Sequence, residues 1–455
     1  MKNVKRVDRE QILSGNLWTV ILGLAVPIVI NSFIQSMYNL TDTYWLGRLG
    51  TNEMAGITLV SPVQNLILNF GTGITTAGSV LISQYLGTKK DDDARSMLSH
   101  IFLCAMIFSF GCAGLVRAGA GGICTWLGAS GEVFYNGKTY LEIVVLDMPF
   151  LYTINMYTSV RQSQGDTVRP MCLNAAGVAI NMILDPLLII ALQMGTAGAA
   201  LATVVSKIPC AIFAFAMIRS KKEAVRLSYQ GFHFQKQKLY NIAKVGLPTA
   251  IGGSTMQFGF LLITRNVNQF GATALSAYGI GNKINGLITL PSNGIGSAVA
   301  TITGQNVGAK QLDRADKGYR LARNMSVVFL LVCGFILSRE PVSRAAVSIF
   351  SSDEQVIDYA ASFLSLMAIC CFSNGIYNST ISLFQGAGHT MITMAVDASR
   401  LWVWRFAVLY FCQDVLGMGF ESVWWAVVIS NFISAGIIYI CYRLKLWRRE
   451  TVKLR

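Results

Sequence analysis

The sequence predicts an all-α membrane protein of twelve transmembrane helices, arranged as two homologous six-helix bundles. Three observations lead there. Of the 455 residues, 53% are hydrophobic and only 13% charged, and the mean hydropathy is +0.50, which leaves about half the charge of an ordinary soluble domain. Long apolar segments recur along the chain, each near or above the roughly 20 residues that a bilayer-crossing helix needs. Finally, the chain resembles itself when displaced by 221 positions. Pro27 then falls on Pro248, Gly50 on Gly271, Gly73 on Gly294, Gln84 on Gln305 and Gly87 on Gly308. A period of half the chain predicts two large halves rather than a solenoid.

The apolar segments run in order. The first, 17–40, is too long for the apolar part of a signal peptide and is followed by no small-residue cleavage pattern, so it reads as a retained span. Segments 54–84, 97–116, 138–160, 171–192 and 197–218 complete an amino-terminal lobe, residues 1–218. Residues 219–238 are polar and basic and read as a cytoplasmic linker. The carboxy-terminal lobe, residues 239–455, carries segments 239–264, 272–304, 321–338, 356–384, 391–412 and 421–443. With six spans per half, both copies enter from the same face. Their axis of relation should then lie along the membrane normal, with a cleft between them near the midplane.

Charge follows the membrane. The formal net charge of +14 suggests nucleic acid only until its distribution is read. Lys and Arg crowd the amino terminus (Lys2, Lys5, Arg6, Arg9), the 89–95 loop, the linker, the stretch from Lys310 to Arg323, and the tail from Arg443 to Arg455. Twelve spans put all of these on one side, which makes both termini of a multi-pass cell-membrane protein cytoplasmic. The expected partner is therefore the lipid bilayer and not nucleic acid.

Several chemistries find no support. No phosphate loop, kinase-type Gly-rich pattern or dinucleotide fingerprint is present, so no nucleotide or other cofactor is expected. The ten cysteines form no CxxC pair and read as small buried hydrophobes. Glycines cluster inside spans, as in GTGITTAGS from Gly71 and GIGSAVATITG from Gly294, where small residues let helices approach.

Ionisable groups inside spans are costly and mark function by default. In the first half these are Asp42, at the end of the first span, and Asp185 in the fifth. Asn181 precedes Asp185 by four residues and shares its helix face. Pro186 supplies no amide hydrogen, which frees the carbonyl of Met182 as another oxygen. A carboxamide stacked near a carboxylate suits a cation or a proton. The alternatives are an interfacial carboxylate for Asp42 and a structural hydrogen bond for Asp185. In the second half Asp397 and Arg400, three apart, read as a structural ion pair, and Lys283 as a snorkelling side chain. No histidine or paired-acid arrangement supports an enzyme.

Several stretches resemble the multidrug and toxic compound extrusion (MATE) family: Pro27 to Asp42 followed by TYWLGRLG, the QGDT turn at Gln164 to Thr167, and N-x-x-x-D-P at Asn181 to Pro186. So do QNVGAK from Gln305 and QGAGHT from Gln385. The resemblance covers nearly the whole chain. It implies a twelve-helix exporter driven by an inward H+ or Na+ gradient and expelling amphiphilic, often cationic, compounds. The cation site of the family's DinF-like branch maps onto Asp42, Asn181 and Asp185, with Asn155 and Thr203 as companions. The NorM-like branch uses acids in the seventh and tenth spans; PTAIGGSTMQFGFLLIT and FLSLMAICCFSNGIYNSTISLF contain none, which favours the DinF-like branch.

The resulting expectation is a monomeric antiporter working by alternating access, with Pro27 as the hinge of the first helix. Gln35, Met37, Tyr38, Met256, Gln257 and Phe258 are candidates to line the substrate cleft, because amides, Met and aromatics accommodate varied flat cations. A lipid-linked glycan or lipid flippase of the same superfamily is the alternative, kept open by Arg265, Lys283, Arg400 and Arg405. An intramembrane enzyme or a non-transporting scaffold is the second alternative. The repeat separates the halves chemically: Asp42 falls opposite Ile263, and with a shift of 223 in the later spans Asn181 and Asp185 fall opposite Trp404 and Val408.

Overall fold

The computed structural model describes residues 7–47, 49–221, 223–230 and 232–451. Lys2, Lys5, Arg6, Lys222, Lys453 and Arg455 of the basic clusters, and Arg48 of TYWLGRLG, lie outside the described residues. Among the described residues the chain is helical, without a strand.

A short helix α1 (Arg9–Ser14) precedes α2 (Leu17–Leu46), α3 (Thr51–Gly87), α4 (Asp91–Trp126), α5 (Gly131–Val144), α6 (Met148–Ser163), α7 (Val168–Pro186) and α8 (Gly195–Arg219). After the linker come α9 (Lys236–Asn268), α10 (Ala272–Gly308), α11 (Leu312–Leu337), α12 (Glu340–Ser348) and α13 (Glu354–Gly386). The chain ends with α14 (Thr390–Ala398), α15 (Phe406–Tyr410) and α16 (Glu421–Arg443). Among the described residues, eight helical segments are long and apolar enough to cross a membrane, and a ninth qualifies if the two parts of α13 form one span. The protein is thus a multi-pass membrane protein. α9 and α10 overlap expected spans but carry too many polar residues to meet the same standard, and 391–412 is divided by π-helical turns.

Two compact units emerge, and their limits differ from the chain halves. One comprises Met1–Arg9 and Ile30–Ala250, the other Glu10–Val29 and Ile251–Arg455. Each unit therefore takes its second stretch from beyond a proline: the division in α2 follows Pro27 by two residues, and the division in α9 follows Pro248 by two residues. These prolines are repeat partners. Each removes a backbone hydrogen bond from its helix interior, so the two helices are weakened at matched positions, next to where their packing partners change.

Close helix approach explains two glycines. Within the first unit, a Cβ on Gly73 would stand 2.5 Å from the carbonyl oxygen of Gly246 and 2.8 Å from Ala250. Within the second, a Cβ on Gly294, the repeat partner of Gly73, would stand 2.5 Å from Val29 and 3.3 Å from the carbonyl oxygen of Ala25. Both sites exclude any larger residue without displacement of the facing helix.

Backbone hydrogen bonds fix the register of the later spans. In the turn after α6, Gly165 N–H donates to Gln162 O and Asp166 N–H to Arg161 O; after α13, Gly388 N–H donates to Gln385 O and His389 N–H to Phe384 O. These partners stand 223 apart. Beyond α7, Leu192 N–H donates to Leu187 O and Met194 N–H to Leu188 O, while Leu416 N–H donates to Phe411 O and Met418 N–H to Cys412 O. Those stand 224 apart. The additional residue is absorbed by the π-helical stretch Ser399–Arg405, which has no equivalent in the continuous α7, whereas the π-helical Leu187–Ala191 and Phe411–Val415 match each other. A π turn closes its ring over one more residue than an α turn. Asn181 and Asp185 are consequently opposite Arg405 and Leu409, not Trp404 and Val408 as the uniform shift of 223 predicts.

Candidate functional site

The first unit contains a cavity of about 610 Å³ lined, among others, by Gln35, Tyr38, Asp42, Asn155, Asn181 and Thr203. Four helices deliver these groups. Asp42 and Tyr38 lie one turn apart on α2, Asn155 is on α6, Asn181 on α7 and Thr203 on α8. Thr203 donates to Ala199 O at 3.1 Å, and the Tyr38 hydroxyl reaches Thr203. Nearby, Asn174 Nδ2–H donates to Asn31 Oδ1 at 3.0 Å, tying α7 to α2.

Asp185 is fully buried behind this cavity. Asn181 Nδ2–H donates to Asp185 Oδ1 at 3.3 Å. The remaining oxygens, Asn181 Oδ1 and Asp185 Oδ2, are buried with no hydrogen-bond partner. The charge of Asp42 acts on Asp185, and that of Lys207 acts on Asp42, so the site is oxygen-rich, with two unsatisfied acceptors and one cation at its edge. A hard cation takes oxygen ligands of this kind, and a proton would turn Asp185 into a donor. Among the described residues no group of three or more His, Cys, Asp and Glu side chains converges.

Of the residues predicted from sequence, Asp42, Asn155, Asn181, Thr203, Gln35 and Tyr38 line this one cavity, and Asp185 hydrogen-bonds to it through Asn181. Met37 is on α2 but is not among the lining residues. Met256, Gln257 and Phe258 belong to the second unit. There Met256 Sδ lies 3.4 Å from Arg400 Nη2, and Phe258 stacks on Trp402 with ring centroids 5.9 Å apart.

Sequence reasoning overlooked a buried ion pair beside the cavity. Lys207 on α8, which lines the cavity, bonds to Asp147, and Asp147 is only 3% exposed. The signal was present: Lys207 sits mid-span in TVVSKIPC, and Asp147 within the fourth apolar segment. The two stand 60 residues apart on different helices, so no spacing pairs them in the sequence.

The second unit differs in kind. Asp397 accepts from the Tyr377 hydroxyl and stands 3.8 Å from Arg400, a loose version of the expected pair. Arg405 donates from Nε to Ser430 Oγ and from Nη2 to Asn431 Oδ1, both at 3.0 Å. Arg265 and Lys283 are exposed. The acids of α13, Glu354 and Asp358, lie in its first two turns and pair with Arg344.

Comparisons with known proteins agree with this architecture. The MatE family model matches the chain twice, over residues 27–187 and 248–411. Probable multidrug resistance protein YoeA of Bacillus subtilis (strain 168) is 22% identical over 96% of each chain. Multidrug export protein MepA of Staphylococcus haemolyticus (strain JCSC1435) is 23% identical over 95% of this chain and 94% of its own. A solved structure described as the outward-facing conformation of a multidrug resistance MATE family transporter superposes with a TM-score of 0.91 at 22% identity, over 98% of this chain and 99% of that one. The two family matches begin at the repeat-partner prolines Pro27 and Pro248 and end 224 residues apart, as the backbone register requires. The chain belongs to the MatE family of membrane transporters and is not an enzyme.

Proposed function

We propose that this protein is a twelve-span, cation-coupled antiporter that exports amphiphilic, often cationic, compounds by alternating access, with H+ or Na+ as the coupling ion. The observation that carries the reading is the pair of orphaned buried oxygens, Asn181 Oδ1 and Asp185 Oδ2, behind a cavity that also presents Asp42. An unsatisfied buried acceptor costs about 1–3 kcal/mol, so a proton or cation bound there is favoured over leaving the site empty. The relatives named as multidrug resistance and export proteins support the export of drug-like compounds.

In this reading the acidic cluster is ionised when the drug is bound, and entry of the coupling ion weakens drug binding while α2 repacks about Pro27. Differential affinity of the ion for the two conformations is what makes the exchange directional. The linker and both termini are on the cytoplasmic side, and the protein acts as a monomer. Absence of acids from α9 and from the interior of α13 supports the DinF-like branch.

Purified protein in liposomes, loaded with a fluorescent organic cation, tests the proposal by imposing a pH gradient and a Na+ gradient separately. Efflux under one of them identifies the ion, and Asp42→Asn and Asp185→Asn should each abolish it with normal membrane insertion. Transport by both variants at the original rate would remove the acids from the mechanism.

A further inference from the structure

At the end of the second unit where α11 begins and α16 finishes, five cationic side chains surround a cavity of about 480 Å³: Arg320, Arg323, Arg443, Lys445 and Arg448. One carboxylate, Asp316, shares the lining. It is already committed, because one oxygen accepts from the Tyr442 hydroxyl at 2.7 Å and the other pairs with Arg320 at 2.7 Å. Arg448 Nη2 pairs with Asp313 at 3.1 Å, but its Nε is buried with no hydrogen-bond partner. Arg323 donates to the amide oxygen of its neighbour Asn324, also reaches the Tyr319 hydroxyl, and lies over the rings of Tyr319 and Tyr439. Among the described residues the side chains of Arg443 and Lys445 have no hydrogen-bond or ion-pair partner.

We propose that this cavity is a binding site for a phosphate-type oxyanion. The inference is independent of the transport reading. The charge balance points to it: one carboxylate, doubly engaged, faces five cations, and three of those have no acid. Guanidinium groups match phosphate oxygens with two parallel N–H donors. The carbonyls ending α16, which would repel an anion, are partly capped, with Leu444 N–H donating to Ile440 O and Lys445 N–H to Tyr442 O.

Two sources carry this chemistry, a phospholipid headgroup and free phosphate. The cavity has lipid-facing character on its flanks: Ile440 and Leu444 of the same turns are 59% and 65% exposed, and α11 continues with exposed Val328, Val332 and Phe335. Basic pockets among transmembrane helices on the cytoplasmic side are suited to anionic headgroups, and this one belongs to the basic face of the chain.

The test uses the full chain in phosphatidylcholine nanodiscs with or without phosphatidylglycerol, and in detergent with inorganic phosphate. Retained phosphatidylglycerol is counted by native mass spectrometry, and the unfolding temperature is read in each condition. The variants are Arg323→Gln and the double change Arg443→Gln with Lys445→Gln; Arg219→Gln and Lys89→Gln elsewhere on the basic face are controls. Binding of phosphatidylglycerol that falls about tenfold in the variants and not in the controls assigns the site to a lipid headgroup. Stabilisation by millimolar phosphate that the variants alone lose assigns it to free phosphate. Equal loss in controls and variants, or no loss in either, overturns the proposal. Because Arg443 and Lys445 are exposed, unchanged unfolding in phosphatidylcholine alone verifies that the double variant is folded.

Discussion

Asn181 gives its one oriented amide hydrogen to Asp185 Oδ1, one turn further along α7, and in doing so leaves its own carbonyl oxygen and Asp185 Oδ2 buried without donors. Rotating the amide exchanges its oxygen and nitrogen and brings oxygen against the carboxylate, so no rotamer of Asn181 satisfies both oxygens. Asn155, Thr203 and Asp42 come from three other helices to the same cavity. A water, a proton or a cation would each supply what the two oxygens lack.

Asn181→Leu removes one acceptor and the hydrogen bond that orients the other. The apparent affinity for the coupling ion should fall about tenfold, equivalent to about 1.4 kcal/mol, with maximal efflux reached at higher ion concentration. Initial efflux rates across a series of ion concentrations measure this. An unchanged half-saturating concentration would take Asn181 out of the site.

The Lys207–Asp147 pair makes a separate prediction. Lys207→Met strands a buried carboxylate, and breaking such a pair costs about 3–5 kcal/mol, whereas replacing both partners by apolar residues is often neutral. The unfolding temperature in detergent should therefore drop sharply in Lys207→Met and recover in Lys207→Met combined with Asp147→Leu. Equal destabilisation in single and double variants would show that the lysine matters for the cavity and not for the pair.

Much of this was legible in the sequence because membrane constraints are coarse. Apolar runs, the repeat and the basic loops follow from lipid and charge alone, and the N-x-x-x-D spacing places Asn181 and Asp185 on one helix face. What was not legible depends on contacts between distant segments. Lys207 and Asp147 are 60 residues apart, and nothing local in either signals the other. The π-helical insertion at Ser399–Arg405 shows only in hydrogen bonds, since one extra residue in an apolar run leaves composition and periodicity almost unchanged. The linker reads as a polar tether, yet Val225 and Leu227 are buried and Arg95, Ser99 and Gln164 side chains donate to the carbonyls of Ala224, Ser228 and Val225.

That linker should be sensitive to acid through Glu223. Burial on its own would push the carboxyl up, but Arg161 at 2.5 Å and Arg169 at 2.8 Å outweigh it and hold Glu223 below its ordinary value of 4.5. A carboxyl depressed in the folded state stabilises it fully above the ordinary value, and this contribution disappears as pH falls through the depressed one. Hydrogen exchange of the linker amides, corrected for intrinsic rate, should show protection at neutral pH that declines once pH falls below 4.5. Glu223→Gln should lose much of that protection already at neutral pH. Identical protection in the two proteins would mean that apolar burial of Val225 and Leu227 holds the linker unaided.

Arg405 provides the sharpest test of whether the two halves share the cation cycle. With the corrected register it stands in the place of Asn181, while Ile263, Leu409 and Val427 stand in the places of Asp42, Asp185 and Thr203, and all three are buried in one apolar core cluster. A guanidinium tethered to Ser430 and Asn431 thus occupies the position where the first half would hold an exchangeable ion. Its hydrogen-bond partners, Ser430 and Asn431, are neutral, so Arg405→Leu leaves no stranded acid, but each of the two loses a donor, and an unsatisfied buried acceptor costs about 1–3 kcal/mol. The variant should retain the ion dependence of efflux within about twofold even though it unfolds at a somewhat lower temperature. A tenfold shift in the half-saturating ion concentration would show that the second half takes part in the cycle after all, through a cation it never releases.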